Sequence, residues 1–315
     1  MLADKGLLAT VNDDQVVAQV LGRFLDSQSA EVRSRFVELL EVMHATAPTR
    51  WETVVTAERR QRLLEDPSLS VRLNAARMFW RSDGDSRATT VFEEALRTKE
   101  GQAAVLHRLN YPLSLHNLDG RLGPGIVKAL REHPDQDLGL KALRNLDSIT
   151  DETLHELVRV NWKDDEAMAS YHKILVQIGP RASVEFERLR ERLDHDNDRV
   201  RATAALALGA IGEAASGAVP ELEQMVRESD PEGVVYGALK AVAQIAGERA
   251  YPLAIEVLEE TDSELVQERA LEIIASYGAP GDAPACNAAR RVLDRAQSQR
   301  VRDLAKTVLA RTCGP

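Results

Sequence analysis

One pattern recurs along this chain from end to end and leaves few folds open to it. Its fullest copy reads Asn197-Asp198-Arg199-Val200-Arg201-Ala202-Thr203-Ala204-Ala205-Leu206-Ala207-Leu208-Gly209-Ala210-Ile211-Gly212. Val200, Ala204, Leu208 and Ile211 fall at i, i+4, i+8 and i+11, one stripe of a helix with about 3.6 residues per turn. Asp198 can cap the start of that helix, and Gly212 can take the left-handed conformation that stops it. The alanines keep the stripe shallow, so a neighbouring helix can come close.

Sliding this template along the 315 residues finds nine copies, anchored at Val32, Val71, Val105, Leu138, Ala167, Val200, Val234, Val266 and Val301. Eight residues beyond each anchor come Leu40, Phe79, Leu113, Leu146, Leu175, Leu208, Val242, Ile274 and Leu309, all apolar. Four residues beyond, six of the nine are Ala; the others are Phe36, Leu109 and Tyr171. A second amphipathic segment lies between consecutive copies, such as Val184 to Leu193 or Leu253 to Leu258. Short polar or proline turns separate the two, as at Asp66-Pro67, Asp194-His195-Asp196 and Asp230-Pro231. These are helix stops followed by helix starts. The spacing predicts one continuous all-α domain over 1–315, an array of about nine helical hairpins.

Asp66-Pro67 with Val71-Arg72 and Ala75-Ala76, and Val200-Arg201 with Ala204-Ala205, Leu208-Gly209 and Ile211-Gly212, resemble the second helix of a HEAT repeat. The likeness is sharpest over 196–278. The third copy, around Val105, lacks both the Arg and the Ala. The period is shorter than the roughly 40–47 residues of most HEAT repeats, and is more similar to compact bacterial HEAT-like repeats, including those of phycobilin lyases. The resemblance implies a right-handed α-solenoid whose second helices line a concave surface. Tetratricopeptide and ankyrin patterns, which need different Trp, Tyr or Thr-Pro-Leu-His signatures, are absent.

Composition bears this out and narrows the function classes. Hydrophobic residues make up 44% of the chain and aromatics 4%, so the core must come from many small aliphatic contacts. The net charge is −10, which disfavours sequence-blind binding to nucleic acid or to an anionic membrane. No run reaches the roughly 18 apolar residues of a spanning helix, and the first residues lack a signal-peptide layout. The expected location is the cytoplasm.

Nothing in the pattern names a reaction. The seven histidines show no metal-pair spacing, and no Cys-x-x-Cys, His-Glu-x-x-His or phosphate-binding glycine loop occurs. No metal, cofactor or catalytic residue is expected, and carboxylate pairs such as Glu259-Glu260 read as solvated faces. Cys286 and Cys313 stand at similar heights on the two arms of the last predicted hairpin. A bridge is geometrically open to them, but a cytosolic chain is expected to keep both as thiols. Residues 111–125, with two prolines and three glycines, read as a loop crossing the edge of the array.

The arginine after the anchor, at Arg33, Arg72, Arg201 and Arg302, resembles the ladder that links neighbouring HEAT repeats and is read as structural. Position six beyond the anchor turns about 240° around the helix, away from the core. It reads Glu38, Arg77, Tyr111, Arg144, Lys173, Leu206, Lys240, Glu272 and Thr307. Four central positions are basic in an acidic chain. With Trp80 at position nine and Tyr236 at position two, Arg77, Tyr111, Arg144, Lys173 and Lys240 form the candidate partner-binding face. The expected function is a non-enzymatic scaffold for a protein or peptide with acidic elements. Two alternatives rest on fold analogy: a nucleic-acid or DNA-repair protein, and a tetrapyrrole lyase or isomerase.

Overall fold

The computed structural model describes residues 14–46, 48–109, 118–228 and 231–313. The chain forms two compact units, Met1–Asn161 and Trp162–Pro315. The first holds α1 (Asp14–Leu25), α2 (Ala30–Thr46), α3 (Pro48–Val54), α4 (Ala57–Leu64), α5 (Leu69–Asp83), α6 (Arg87–Ala95), α7 (Lys99–Leu109), α8 (Gly123–Glu132), α9 (Gln136–Leu143) and α10 (Asp151–Leu157). The second holds α11 (Asp165–Ile178), α12 (Phe186–Glu191), α13 (Asp198–Ile211), α14 (Val219–Glu228), α15 (Glu232–Ala246), α16 (Ala250–Glu260), α17 (Glu264–Tyr277), α18 (Ala283–Arg295) and α19 (Gln299–Thr312). Within each unit hairpin stacks on hairpin, second helix against second helix, which is the architecture of an all-α solenoid. Among the described residues the extended pairing is a single parallel bridge, Leu118 to Leu146.

The anchored stripe is the core. Val200, Ala204 and Leu208 are fully buried and Ile211 nearly so. Asn197, not Asp198, caps α13, accepting from the backbone N–H groups of Arg199 and Val200. Gly212 ends the helix at φ 77°, as Gly179 and Gly247 end α11 and α15 at 65° and 54°; side chains avoid this backbone region, so glycine recurs there. Small residues let α13 and α15 touch. A Cβ on Gly237 would stand 2.8 Å from the Ala202 carbonyl oxygen, and one on Gly209 2.9 Å from the Ala241 Cα. Residues 198–228 include an apolar window of mean hydropathy 1.4. They are nevertheless two helices broken at Gly212, and 56% of that window is buried inside the unit.

Several sequence expectations change. Val32 is 38% exposed, although it holds the same third position in its helix as the fully buried Val71 and Val200. The third copy is shifted by one turn. In every other anchored helix described, from α5 to α19, the anchor is the third residue, and in α7 the third residue is Gly101. The residue after the anchor confirms it. Arg33, Arg72, Arg201 and Arg302 each donate to a carbonyl six residues back, on Ser27, Asp66, His195 and Ala296. Gln267 does the same to Thr261, and Gln102 to Leu96. The anchor is glycine in the third copy because a Cβ there would stand 2.1 Å from the Ala95 carbonyl oxygen.

The arginine row therefore satisfies orphan carbonyls at the end of the preceding helix, within a hairpin. Among the described residues, Arg33 alone of the four arginines reaches the next repeat, gripping Asp66 through Nε at 2.7 Å and Nη2 at 2.9 Å. Gly123-Pro124-Gly125 is the first turn of α8, where proline needs no hydrogen-bond partner, and Gly120–Leu122 is a 3-10 turn. Residues 111–117 of the expected loop lie outside the described residues, as does Leu113. Cys286 and Cys313 are joined in a disulfide, Cα to Cα 5.2 Å. The antiparallel course of α18 and α19 brings residues 286 and 313 to one level.

Candidate functional site

The second-helix face carries the position-six row. In the first unit Arg144 is exposed, just past the end of α9. Arg77 is half-buried and pairs with Glu41 at 2.8 Å, and Arg81 reaches the other oxygen of the same carboxylate at 2.5 Å. With the corrected register, position six of the third copy is the exposed His107 and not Tyr111, which lies outside the described residues. Trp80 is a correction: it is 2% exposed and belongs to the core. Position nine differs from repeat to repeat: Gly209 in α13 approaches Ala241, whereas Val176 in α11 is 37% exposed.

In the second unit Lys173 and Lys240 are partly exposed. Tyr236 lies between two cations, with the Arg269 guanidinium 5.4 Å and the Lys240 ammonium 6.0 Å from its ring centre. Arg269 also donates to the Tyr236 hydroxyl at 3.3 Å and pairs with Glu272 at 2.9 Å. Arg300 bridges to Glu268 and Glu272. This face is mixed in sign, with an aromatic ring contacted by two cations.

Sequence reasoning missed one residue that the register explains. Arg108 stands at position seven of the third copy, where six of the other repeats place Met78, Ile174, Ala207, Ala241, Ile273 and Val308, all buried, and the remaining two the half-buried Leu39 and Asn145. It is half-buried, and burial followed by the nearby Arg77 charge pulls its pKa down. Counted from Gly101, a cation at an apolar position is visible in the sequence. Counted from Val105 it is hidden.

In the first unit the Asp85 carboxyl, against the upward push of burial, is drawn down to about 2 by hydrogen bonds from Arg87 and Arg60; the most deeply buried perturbed groups lie in the interior of the second unit. Burial, then the charge of Arg192, draws His172 down to about 4. Its Nδ1 meets the Thr203 hydroxyl at 3.1 Å, and that hydroxyl donates to the Arg199 carbonyl at 2.8 Å. Burial and the facing Glu185 carboxylate push Tyr171 up, and burial pushes Glu185 up against the opposing pull of Tyr171 and Arg188. His172, Tyr171 and Glu185 are each at most 5% exposed, so they are core groups out of reach of a substrate. Among the described residues no cluster of three or more His, Cys, Asp or Glu side chains is placed to hold a metal.

Stacked hairpins whose second helices touch through small residues and end in positive-φ glycines define an α-solenoid of two-helix repeats. The HEAT-repeat family profile matches residues 166–243 and 186–275, and the chain is a HEAT-like repeat protein. No curated protein sequence matches it. Among solved structures, an engineered protein aligns at TM-score 0.54 and 19% identity, over 95% of this chain and 88% of that one. A mutant of Kap121p aligns at TM-score 0.52 and 17% identity, over 95% of this chain and 38% of that one. Kap121p, a karyopherin, is also matched in its complex with the extreme C-terminus of the phosphatase Cdc14p, at TM-score 0.49 and 17% identity, over 94% and 38%. The chain thus spans under two fifths of the karyopherin's length.

Proposed function

We propose that this chain is a non-enzymatic scaffold that holds a protein or peptide partner, acidic at its contacting residues, along the second-helix face. The observation that carries the reading is a local reversal of charge. In the first unit Arg77, Arg81, Arg108 and Arg144 share that face with Glu38 and Glu41, in a chain whose net charge is −10. In a HEAT-like stack this face is the concave one, suited to distributed contacts along an extended partner. Rim cations of this kind steer encounter and select partners by sign. In the second unit Tyr236 adds a rigid amphipathic surface, the residue type that anchors interfaces.

The test is fluorescence anisotropy of the full chain with labelled acidic, neutral and basic peptides of equal length. Acidic peptides should bind best, and Arg144→Glu or Lys240→Glu should weaken them by severalfold, since both side chains sit at the surface. Equal binding to all three peptides would overturn the reading. So would a preference for random duplex DNA that falls steeply with salt, the mark of phosphate contacts.

A further inference from the structure

We infer that Arg108 is a preformed receptor for a carboxylate of the partner, an anchor point inside the proposed acidic-peptide face. The inference rests on the scaffold reading above and names the contact that gives it specificity. The guanidinium is fixed from three sides. Nε donates to Asn74 Oδ1 at 2.8 Å, Nη1 to the Ala104 carbonyl at 3.1 Å and Nη2 to Ser70 Oγ at 3.1 Å. All three acceptors are neutral. Two more guanidinium N–H groups remain, one on each terminal nitrogen, which is the fork that a carboxylate engages with two parallel bonds.

The surroundings keep the internal carboxylates busy. Glu41 is taken by Arg77 and Arg81. Glu38 accepts from Asn74 Nδ2 at 3.2 Å and lies 3.9 Å from Arg35. Asn74 itself is held by Ser34 at 2.9 Å, so the side chain that aims Arg108 cannot easily turn away. A half-buried cation whose hydrogen bonds all go to neutral groups is costly; the neighbouring Arg77 adds to the cost, and the Glu38 charge offsets only part of it. Every other repeat solves position seven without a cation. The departure from the repeat pattern is thus localised, oriented and electrostatically incomplete, and departures of that kind gather at functional sites. An aspartate or glutamate side chain supplies what is missing, one charge and two coplanar oxygens.

The experiment uses labelled hexaglutamate, with inorganic phosphate as the competing anion. Arg108→Met should weaken hexaglutamate by about tenfold or more, the worth of a charge-assisted contact, without lowering the melting temperature. Ser70→Asp provides a second arm. It places a carboxylate against Nη2 in the first turn of α5, where a negative charge suits the helix, so it should occupy Arg108 from within. Binding should be lost while the fold is kept. Hexaglutamate binding that is unchanged in both variants overturns the role of Arg108 and leaves the scaffold reading intact. No hexaglutamate binding by the wild type overturns both. Displacement by phosphate at equal concentration overturns the carboxylate assignment.

Discussion

Two glycines one turn apart on α15 give opposite expectations for the same substitution. Gly233 lies in the first turn with nothing within 4 Å of a built Cβ, whereas Gly237 faces the Ala202 carbonyl oxygen at 2.8 Å. Gly→Ala within a helix gains up to about 1 kcal/mol through backbone entropy and helix propensity. At Gly233 that gain stands alone, reduced by its place near the helix start, so Gly233→Ala should stabilise by about 0.5 kcal/mol. At Gly237 the new methyl meets a backbone atom of α13, which can yield only if the whole helix shifts. Overpacking of this kind costs about 1–3 kcal/mol, which outweighs the gain. Gly237→Ala should therefore destabilise by up to about 2 kcal/mol. Urea unfolding followed by circular dichroism reads both midpoints. If Gly237→Ala were as stable as Gly233→Ala, the close approach of α13 and α15 would be wrong, and with it the account of why small residues dominate these positions.

Other expectations concern separate parts of the molecule. Reducing the Cys286–Cys313 bridge releases a span of 27 residues and should cost up to about 3.5 kcal/mol in the last hairpin; a thiol titration that finds two reactive thiols in the oxidised native protein would refute the pairing. His172 falls to about 4 in the fold from 6.5, so as pH drops the unfolded chain takes up a proton first. The stabilisation is complete above 6.5, drains away between 6.5 and 4, and amounts to at most about 3 kcal/mol. Melts of wild type and His172→Gln across that window should converge at low pH, and parallel curves would show that the histidine does not titrate as described. Arg33→Ala removes the two charge-assisted bonds to Asp66, which is 6% exposed and keeps the Ser68 backbone N–H, and should cost about 2–3 kcal/mol. Arg72→Ala, which loses a bond to a carbonyl near the surface, should cost about 1 kcal/mol; equal losses for the two would argue against the bidentate grip.

The hairpin fold was legible because a helix-period stripe repeated at nine anchors is hard to satisfy any other way. Ala204, Ala238 and Ala270, picked by spacing alone, are all fully buried. The failures share a cause, which is that the pattern reports side chains while the structure depends on close backbone approach. Gly101 holds an anchor position with no apolar side chain to mark it, so the template slid one turn to Val105. That slip hid both Gln102 and Arg108. Trp80 was placed on the open face by its angle around the helix, but it is 2% exposed, while Val176 at the same angle is 37% exposed, so the angle alone does not decide burial. Cys286 and Cys313 were correctly placed at one height, and the remaining step, whether they join, depends on chemistry that spacing does not encode.

The bridge across the last hairpin also fixes how force would pass through the second unit. A pull applied at Cys313 travels through the sulfur–sulfur bond to Cys286, so the polypeptide from 287 to 312 carries none of the tension. Under load this hairpin behaves as a rigid handle. The first helices to peel away would then be those preceding Cys286, and the handle would stay folded after its neighbours had come apart.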